Sequence, residues 1–296
     1  MKQTLWAALV LAACSGTVLA QNMRPRDVDA LPAFTPTLVA AYGNDPLQVG
    51  ELRLPAGKGP FPVVEVVHGG CWTKGFATRK NTAALASALT AMGYATWNIE
   101  YRQVGDPGGG WPGTFKDWAA ATDYLRVLAK SQPISLKRVA VVGHSAGAHA
   151  ALWIASRASL PAASDIGSEH PLPVSIAVAI DGPGELASFV GADAEICGKP
   201  VIAPLIGGLP KDQLARYRLA SPFQNLPTSA QEYLIASVVL TADAAEHYRT
   251  VAATKGQVVR VLNVKNGGHF DIIAPDSAAW KHQVEPFVAT ALRETK

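Results

Sequence analysis

Cysteine is scarce. Three in 296 residues exclude a disulfide-built scaffold, and no Cys-x-x-Cys pair suggests a zinc site. Charge is scarce as well, at 17% Asp, Glu, Lys and Arg with a net of +3. No run of five like charges occurs, so the chain has no basic stripe of the kind that binds nucleic acid. Beyond the N-terminal twenty residues no stretch reaches the roughly 18 uncharged apolar residues that a membrane-spanning helix needs. No internal repeat is visible, which argues against a solenoid or a propeller. What is present is apolar material, 49% of the chain, with 26 Gly and 21 Pro. That composition is globular rather than disordered, loop-rich, and long enough for one large α/β domain or two modest ones.

The first twenty residues read as an address. Lys2 precedes an apolar run from Leu5 to Ala13, too short to span a bilayer, and Val18-Leu19-Ala20 puts small or permissive residues before Gln21. We expect a secretory signal over residues 1–20, cut after Ala20, and hence a secreted or periplasmic protein. Leu11-Ala12-Ala13-Cys14 also resembles a bacterial lipobox, so a lipid anchor at Cys14 is the alternative.

From about Leu38 short apolar runs alternate with longer amphipathic ones. Strands are predicted at Leu47–Leu54, Pro62–Val67, Tyr94–Tyr101, Arg138–Val142, Val174–Ile180, Glu232–Val239 and Val258–Val264. Helices are predicted at Arg79–Met92, Thr114–Lys130, Ser145–Arg157, Ala242–Thr254 and Asp276–Leu292. Strand–helix alternation predicts a mostly parallel sheet covered on both faces. The segment 182–225 is less regular and is read as a lid, a cap or a long connection.

Two loops carry chemistry. Gly143-His144-Ser145-Ala146-Gly147 follows a buried-type strand and opens an Ala-rich helix. In that context G-x-S-x-G is a nucleophile elbow: a sharp turn lifts Ser145 above the sheet edge, and the Ala146 N–H at the helix start faces a developing oxyanion. His68-Gly69-Gly70-Cys71-Trp72 follows the strand Pro62–Val67. Its glycines leave backbone N–H groups open to a substrate carbonyl, which makes Gly70 and Cys71 the expected partner donors. His68 is read as shaping that loop. His269, in Asn266-Gly-Gly-His-Phe-Asp271 after the last strand, is the expected base. The acid has two candidates. Asp243 follows the strand Glu232–Val239 in Thr241-Ala242-Asp243 and is the first choice, although Thr241 also suits a helix N-cap, which would make Asp243 a first-turn residue. Asp181, at the end of Val174–Ile180, is the alternative.

These motifs together resemble α/β-hydrolases of the HGG esterase/lipase group, most closely the branch with kynurenine formamidase-like and acetyl/feruloyl esterase-like enzymes. His68–Trp72, Trp97-Asn-Ile-Glu-Tyr-Arg102, Gly143–Gly147 and Gly268-His269-Phe-Asp271 stand in that group's order, across roughly residues 45–292. The resemblance implies an α/β-hydrolase fold with about eight strands as a single domain over residues 21–296. It also implies a Ser-Asp-His triad, a small-molecule ester substrate, and no metal or organic cofactor. An amidase acting on N-formyl amides is the second enzymatic reading, and a non-catalytic binding protein on the same fold is the reading from another class. Trp72 and Trp111 are read as packing residues that could instead flank the cleft. Cys71 and Cys197 are expected as free thiols, with a bridge tying the 182–225 segment over the site as the alternative.

Overall fold

In the computed structural model of the chain, residues 22–227 and 229–293 are described; the expected signal and Cys14 lie outside them. A short helix, α1 (Pro25–Asp29), precedes the edge strands β1 (Leu38–Ala41) and β2 (Val49–Arg53). Then come β3 (Phe61–Val67), α2 (Ala83–Ala91), β4 (Ala95–Ile99), α3 (Gly113–Leu128), β5 (Ile134–His144), α4 (Ala146–Ser156) and β6 (Ile176–Ile180). Three short helices fill the irregular segment, α5 (Ala192–Cys197), α6 (Ile202–Ile206) and α7 (Leu214–Ala220), before β7 (Gln231–Ala236), α8 (Ala242–Thr254), β8 (Val259–Asn263) and α9 (Glu285–Arg293). Among the described residues no helix is long and apolar enough to cross a membrane.

The strands form one sheet in the order β1-β2-β4-β3-β5-β6-β7-β8. Pairing is antiparallel for β1–β2 and β2–β4 and parallel from β4 to β8. This is the eight-stranded, mostly parallel sheet expected from the α/β-hydrolase resemblance. Every residue of β4 and β6 is buried, as a parallel sheet covered on both faces demands. One face packs on α3 and α4 through Trp97, Trp118 and Trp153. The other packs on α2 and α9 through Leu85, Leu89 and Trp280. All of α4 is buried, which explains its apolar composition all round.

The structure differs from the expected elements where local geometry intervenes. Helix Arg79–Met92 opens with a 3₁₀ turn at Arg79–Thr82, capped by the Thr78 side chain. The C-terminal helix opens with a π turn at Trp280–Val284. Strand β5 begins at Ile134, earlier than expected, because it continues alongside Phe61 and Pro62 past a bulge. Strand β7 stops at Ala236 rather than Val239, a difference that decides the position of the acid. Helix α1 and strand β1 carry no strong periodicity in the sequence; contact with the rest of the fold defines them.

Glu65 lies in the middle of β3, between Trp97 and Val141 in register, with no exposed surface. Burial pushes its carboxyl up to about 8, so the folded protein holds the proton there while the unfolded chain, near 4.5, releases it. A raised carboxylate stabilises fully below the unfolded value, and that contribution declines between about pH 4.5 and 8. Glu65→Gln removes the titration. Denaturant melts at pH 5 and pH 8 are expected to show the wild type losing stability relative to the variant at roughly 1 kcal/mol per pH unit. A pH-independent difference between the two proteins contradicts this assignment.

Candidate active site

The elbow is built by close approach of backbone. Gly143 faces Gly147 O, and Gly147 faces the carbonyls of Val67 and His68, so a Cβ at either position would collide with main chain. Ser145 then adopts φ 57°, a left-handed conformation that an L-residue holds only under constraint. Its N–H is pinned to Ile180 O at 2.8 Å, the last carbonyl of β6. The helix α4 starts at once behind it.

The loop His68–Trp72, the expected oxyanion loop, crosses over this turn. A Cβ at Gly69 would lie 2.8 Å from Ser145 Cβ and 2.9 Å from His144 O, so the approach requires glycine. Gly70 (φ 100°) and Cys71 (φ 52°) follow in the left-handed region. Among the described residues the N–H groups of Gly70, Cys71 and Ala146 donate to no other backbone group outside regular elements, which leaves them open to an incoming oxygen. His68 is fully buried and holds the loop as expected. Its Nε2 faces Glu100 Oε1 at 2.8 Å and its Nδ1 faces Gly69 O at 2.7 Å. Tyr101 stacks on the ring and its hydroxyl donates to His68 O at 2.9 Å. Burial works against the Glu100 charge, but His68 and the N–H groups of Arg79 and Tyr101 outweigh it and hold the carboxyl below its usual range. Trp97-Asn-Ile-Glu-Tyr-Arg102 assigns Glu100 no role by pattern alone; a carboxylate directly after a fully buried strand, β4, is the signal that marks it.

His269 meets Asp181, not Asp243. Its Nδ1 donates to Asp181 Oδ2 at 2.7 Å, which leaves Nε2 as the free ring nitrogen. The Asp181 carboxylate also accepts from Ser237, Val238, Val239 and Leu240, four successive backbone N–H groups, at 2.8 to 3.1 Å. Burial raises its pKa, yet the hydrogen bonds from His269, Leu240 and Val239 prevail and hold it below the usual carboxylate range. The first choice, Asp243, is corrected by the early end of β7. Residues 237–240, expected to continue the strand, wrap the Asp181 carboxylate instead. Asp243 falls in the first turn of α8, exposed, behind Thr241, which caps the helix by accepting from Ala244 N at 3.2 Å. There it complements the helix dipole.

His144 supports the His269 loop from behind. Its Nε2 donates to His269 O at 2.8 Å. Burial, then repulsion from His269, lowers its pKa to about 3, so it stays neutral. His149 packs among Trp72, Phe115 and Trp118; burial lowers it to about 4.

Ser145, His269, Gly70 and Cys71 line one cavity of about 240 Å³. Phe76, Ala77, His144 and Phe270, close in sequence to these residues, also line it, and distant segments add Pro25 of α1 and Ile196 of α5. The Met23 N–H donates to Asp271 Oδ2 at 3.2 Å and so seats the N-terminal segment beside the His269 loop. Sequence patterning has no means of placing Pro25 or Ile196 there. Trp72 and Trp111 are not among them; Trp72 is buried against His149 and Trp111 packs on Phe115. The expected free thiols are corrected too. Cys71 and Cys197 are disulfide-bonded, Cα to Cα 6.2 Å, across 126 residues. The bridge joins the oxyanion loop to α5, and α5 carries Ile196 into the cavity. Among the described residues no group of three His, Cys, Asp or Glu side chains is placed to hold a metal.

The two acid candidates separate in one measurement. Asp181→Asn is expected to lower kcat on an activated ester by about 10²–10⁴-fold. Asp243→Asn is expected to stay within about twofold of wild type, as an exposed substitution away from the site does. Loss of activity in the Asp243 variant alone overturns the assignment.

Residues 51–238 match the BD-FAE family, well over half of the chain. No curated protein matches. Several solved structures are similar in fold. Esterase B from Lactobacillus rhamnosis (HN001) is 20% identical, with a TM-score of 0.72 over 92% of this chain and 89% of that one. A truncated carbohydrate esterase from gut microbiota is 20% identical, with a TM-score of 0.70 over 87% and 97%. A bifunctional GH43-CE protein from Bacteroides eggerthii is 20% identical, with a TM-score of 0.69 over 86% of this chain but only 35% of its own length. With an elbow turn at Ser145, a Gly-rich loop over it and a His269–Asp181 pair on the expected sheet, and a family match spanning residues 51–238, the chain belongs to the BD-FAE family of α/β-hydrolase esterases.

Proposed function

We propose that this chain hydrolyses carboxylic esters through an acyl-enzyme on Ser145. The observation that carries the reading is one cavity in which a strained elbow serine, a histidine bonded to a buried carboxylate and open backbone N–H groups converge. Ser145 Oγ attacks the ester carbonyl while His269 Nε2 takes its proton. Asp181 keeps the Nδ1–H tautomer in place and stabilises the imidazolium. Gly70, Cys71 and Ala146 N–H groups receive the oxyanion. The imidazolium then protonates the departing alkoxide, the alcohol leaves, and the ester carbon remains bonded to Ser145 Oγ. Water, deprotonated by His269, attacks the acyl carbon and releases the acid, and the proton returns to Ser145.

The cavity, about 240 Å³, is smaller than the roughly 300–1,000 Å³ common for drug-sized ligands. Phe76, Ile196 and Phe270 close it with apolar surface. Both features favour a short acyl group. Export is part of the same proposal. A disulfide between Cys71 and Cys197 suits an oxidising compartment, in keeping with the leader read over residues 1–20.

Fluorophosphonate labelling of wild type, lost in Ser145→Ala, tests the nucleophile. Along a p-nitrophenyl ester series, kcat/KM is expected to fall by at least tenfold between acetate and decanoate. A folded wild type that neither labels nor turns over any ester refutes the activity. A preference for decanoate refutes the short-acyl reading alone.

A further inference from the structure

A second cavity, of about 420 Å³, lies on the far side of the catalytic acid. It shares no lining residue with the cavity that holds Ser145. Its walls come from the segment after β6, the turn after β7, and α8. Phe189, Phe223 and Tyr248 give it aromatic walls, and Leu234, Val239 and Leu240 aliphatic ones. Phe223 and Tyr248 lie with ring centroids 5.4 Å apart. Gly184 lets Tyr248 lie flat against the chain, since a Cβ there would press on the ring at 2.5 Å. The Tyr248 hydroxyl is occupied below, donating to the buried Glu232 at 3.0 Å.

One charged group on this lining is a carboxylate held in place by neutral donors. Glu185 Oε1 accepts from Ser221 Oγ at 3.0 Å and from Ala187 N at 3.1 Å, and Oε2 accepts from Gln224 Nε2 at 2.7 Å. Three bonds fix its position, and none of them neutralises it. His247, stacked on Phe223 at 5.7 Å, is the other titratable group on the lining besides Tyr248. A fixed negative charge and aromatic rings on one lining select for a cation with an apolar body: the carboxylate pairs with the charge, and the rings attract it through their quadrupoles. We propose that this cavity is a binding site for an organic ammonium ion, an amine carried on a small apolar or aromatic group.

The test is calorimetric titration at pH 8 with phenethylammonium, and with 2-phenylethanol as the neutral counterpart of the same shape. Ser145→Ala serves as the background, so the result does not depend on ester turnover. Phenethylammonium is expected to bind at least tenfold more tightly than the alcohol. Glu185→Gln is expected to remove that difference. Ala244→Trp, a change at an exposed α8 position on the pocket rim, is expected to weaken both ligands at least tenfold. Equal affinity for the two ligands overturns the proposal, as does no binding by folded protein. Binding that Ala244→Trp leaves intact places the ligand elsewhere and overturns it too.

Discussion

The Asp181 carboxylate organises one whole side of this site. It stands at the end of β6 with φ 53°, buried, and four consecutive N–H groups from residues 237–240 close on it together with His269. Hydrogen bonds to a charged group are worth about 1.5–3 kcal/mol each, and a buried carboxylate without them is strongly penalised. The loop after β7 therefore has little freedom: it must wrap the charge. That wrapping ends β7 early, sets the start of α8, and leaves His269 in its tautomer. It also forms the partition behind which the second cavity lies, because Val239 and Leu240 present N–H groups to Asp181 and side chains to that cavity.

The opposite side of the site is held by a different network. His68, Glu100 and Tyr101 are buried and connected, and they clamp the carbonyls of the loop that carries Gly70 and Cys71. The disulfide adds a covalent tie from that loop to α5. Among the described residues five non-glycine residues hold positive φ, Cys71, Trp72, Ser145, Asp181 and Asn266, and all of them lie in the turns around the site. Such conformations cost about 1–3 kcal/mol each and persist only where surroundings over-determine them. Here the sheet supplies that constraint: adjacent parallel strands deliver the turns side by side at their carboxyl ends, as open α/β sheets do.

Much of this was legible along the chain. The strand-to-helix alternation, the elbow around Ser145, the loop at His68–Trp72 and the loop that carries His269 each have a local signature, because a period, a glycine pair or a turn is written in neighbouring residues. Tripeptide pattern pointed to Asp243, and that pattern describes a helix start. The bond between Asp181 and His269 spans 88 residues, and no local feature of Asp181 distinguishes it from an ordinary turn former. The disulfide is hidden for the same reason: two cysteines 126 residues apart give no distance until the chain is folded.

The sequence by itself determined the sheet, the covering helices and the turns that carry Ser145, His269 and the His68–Trp72 loop, since these rest on short-range periodicity and turn chemistry. Tertiary structure alone decided which carboxylate faces His269, where β7 ends, which distant segments wall the cavity, and that Cys71 and Cys197 are joined. These outcomes depend on satisfying one buried charge and on packing residues far apart in the chain. Both are properties of three-dimensional proximity rather than of neighbouring residues.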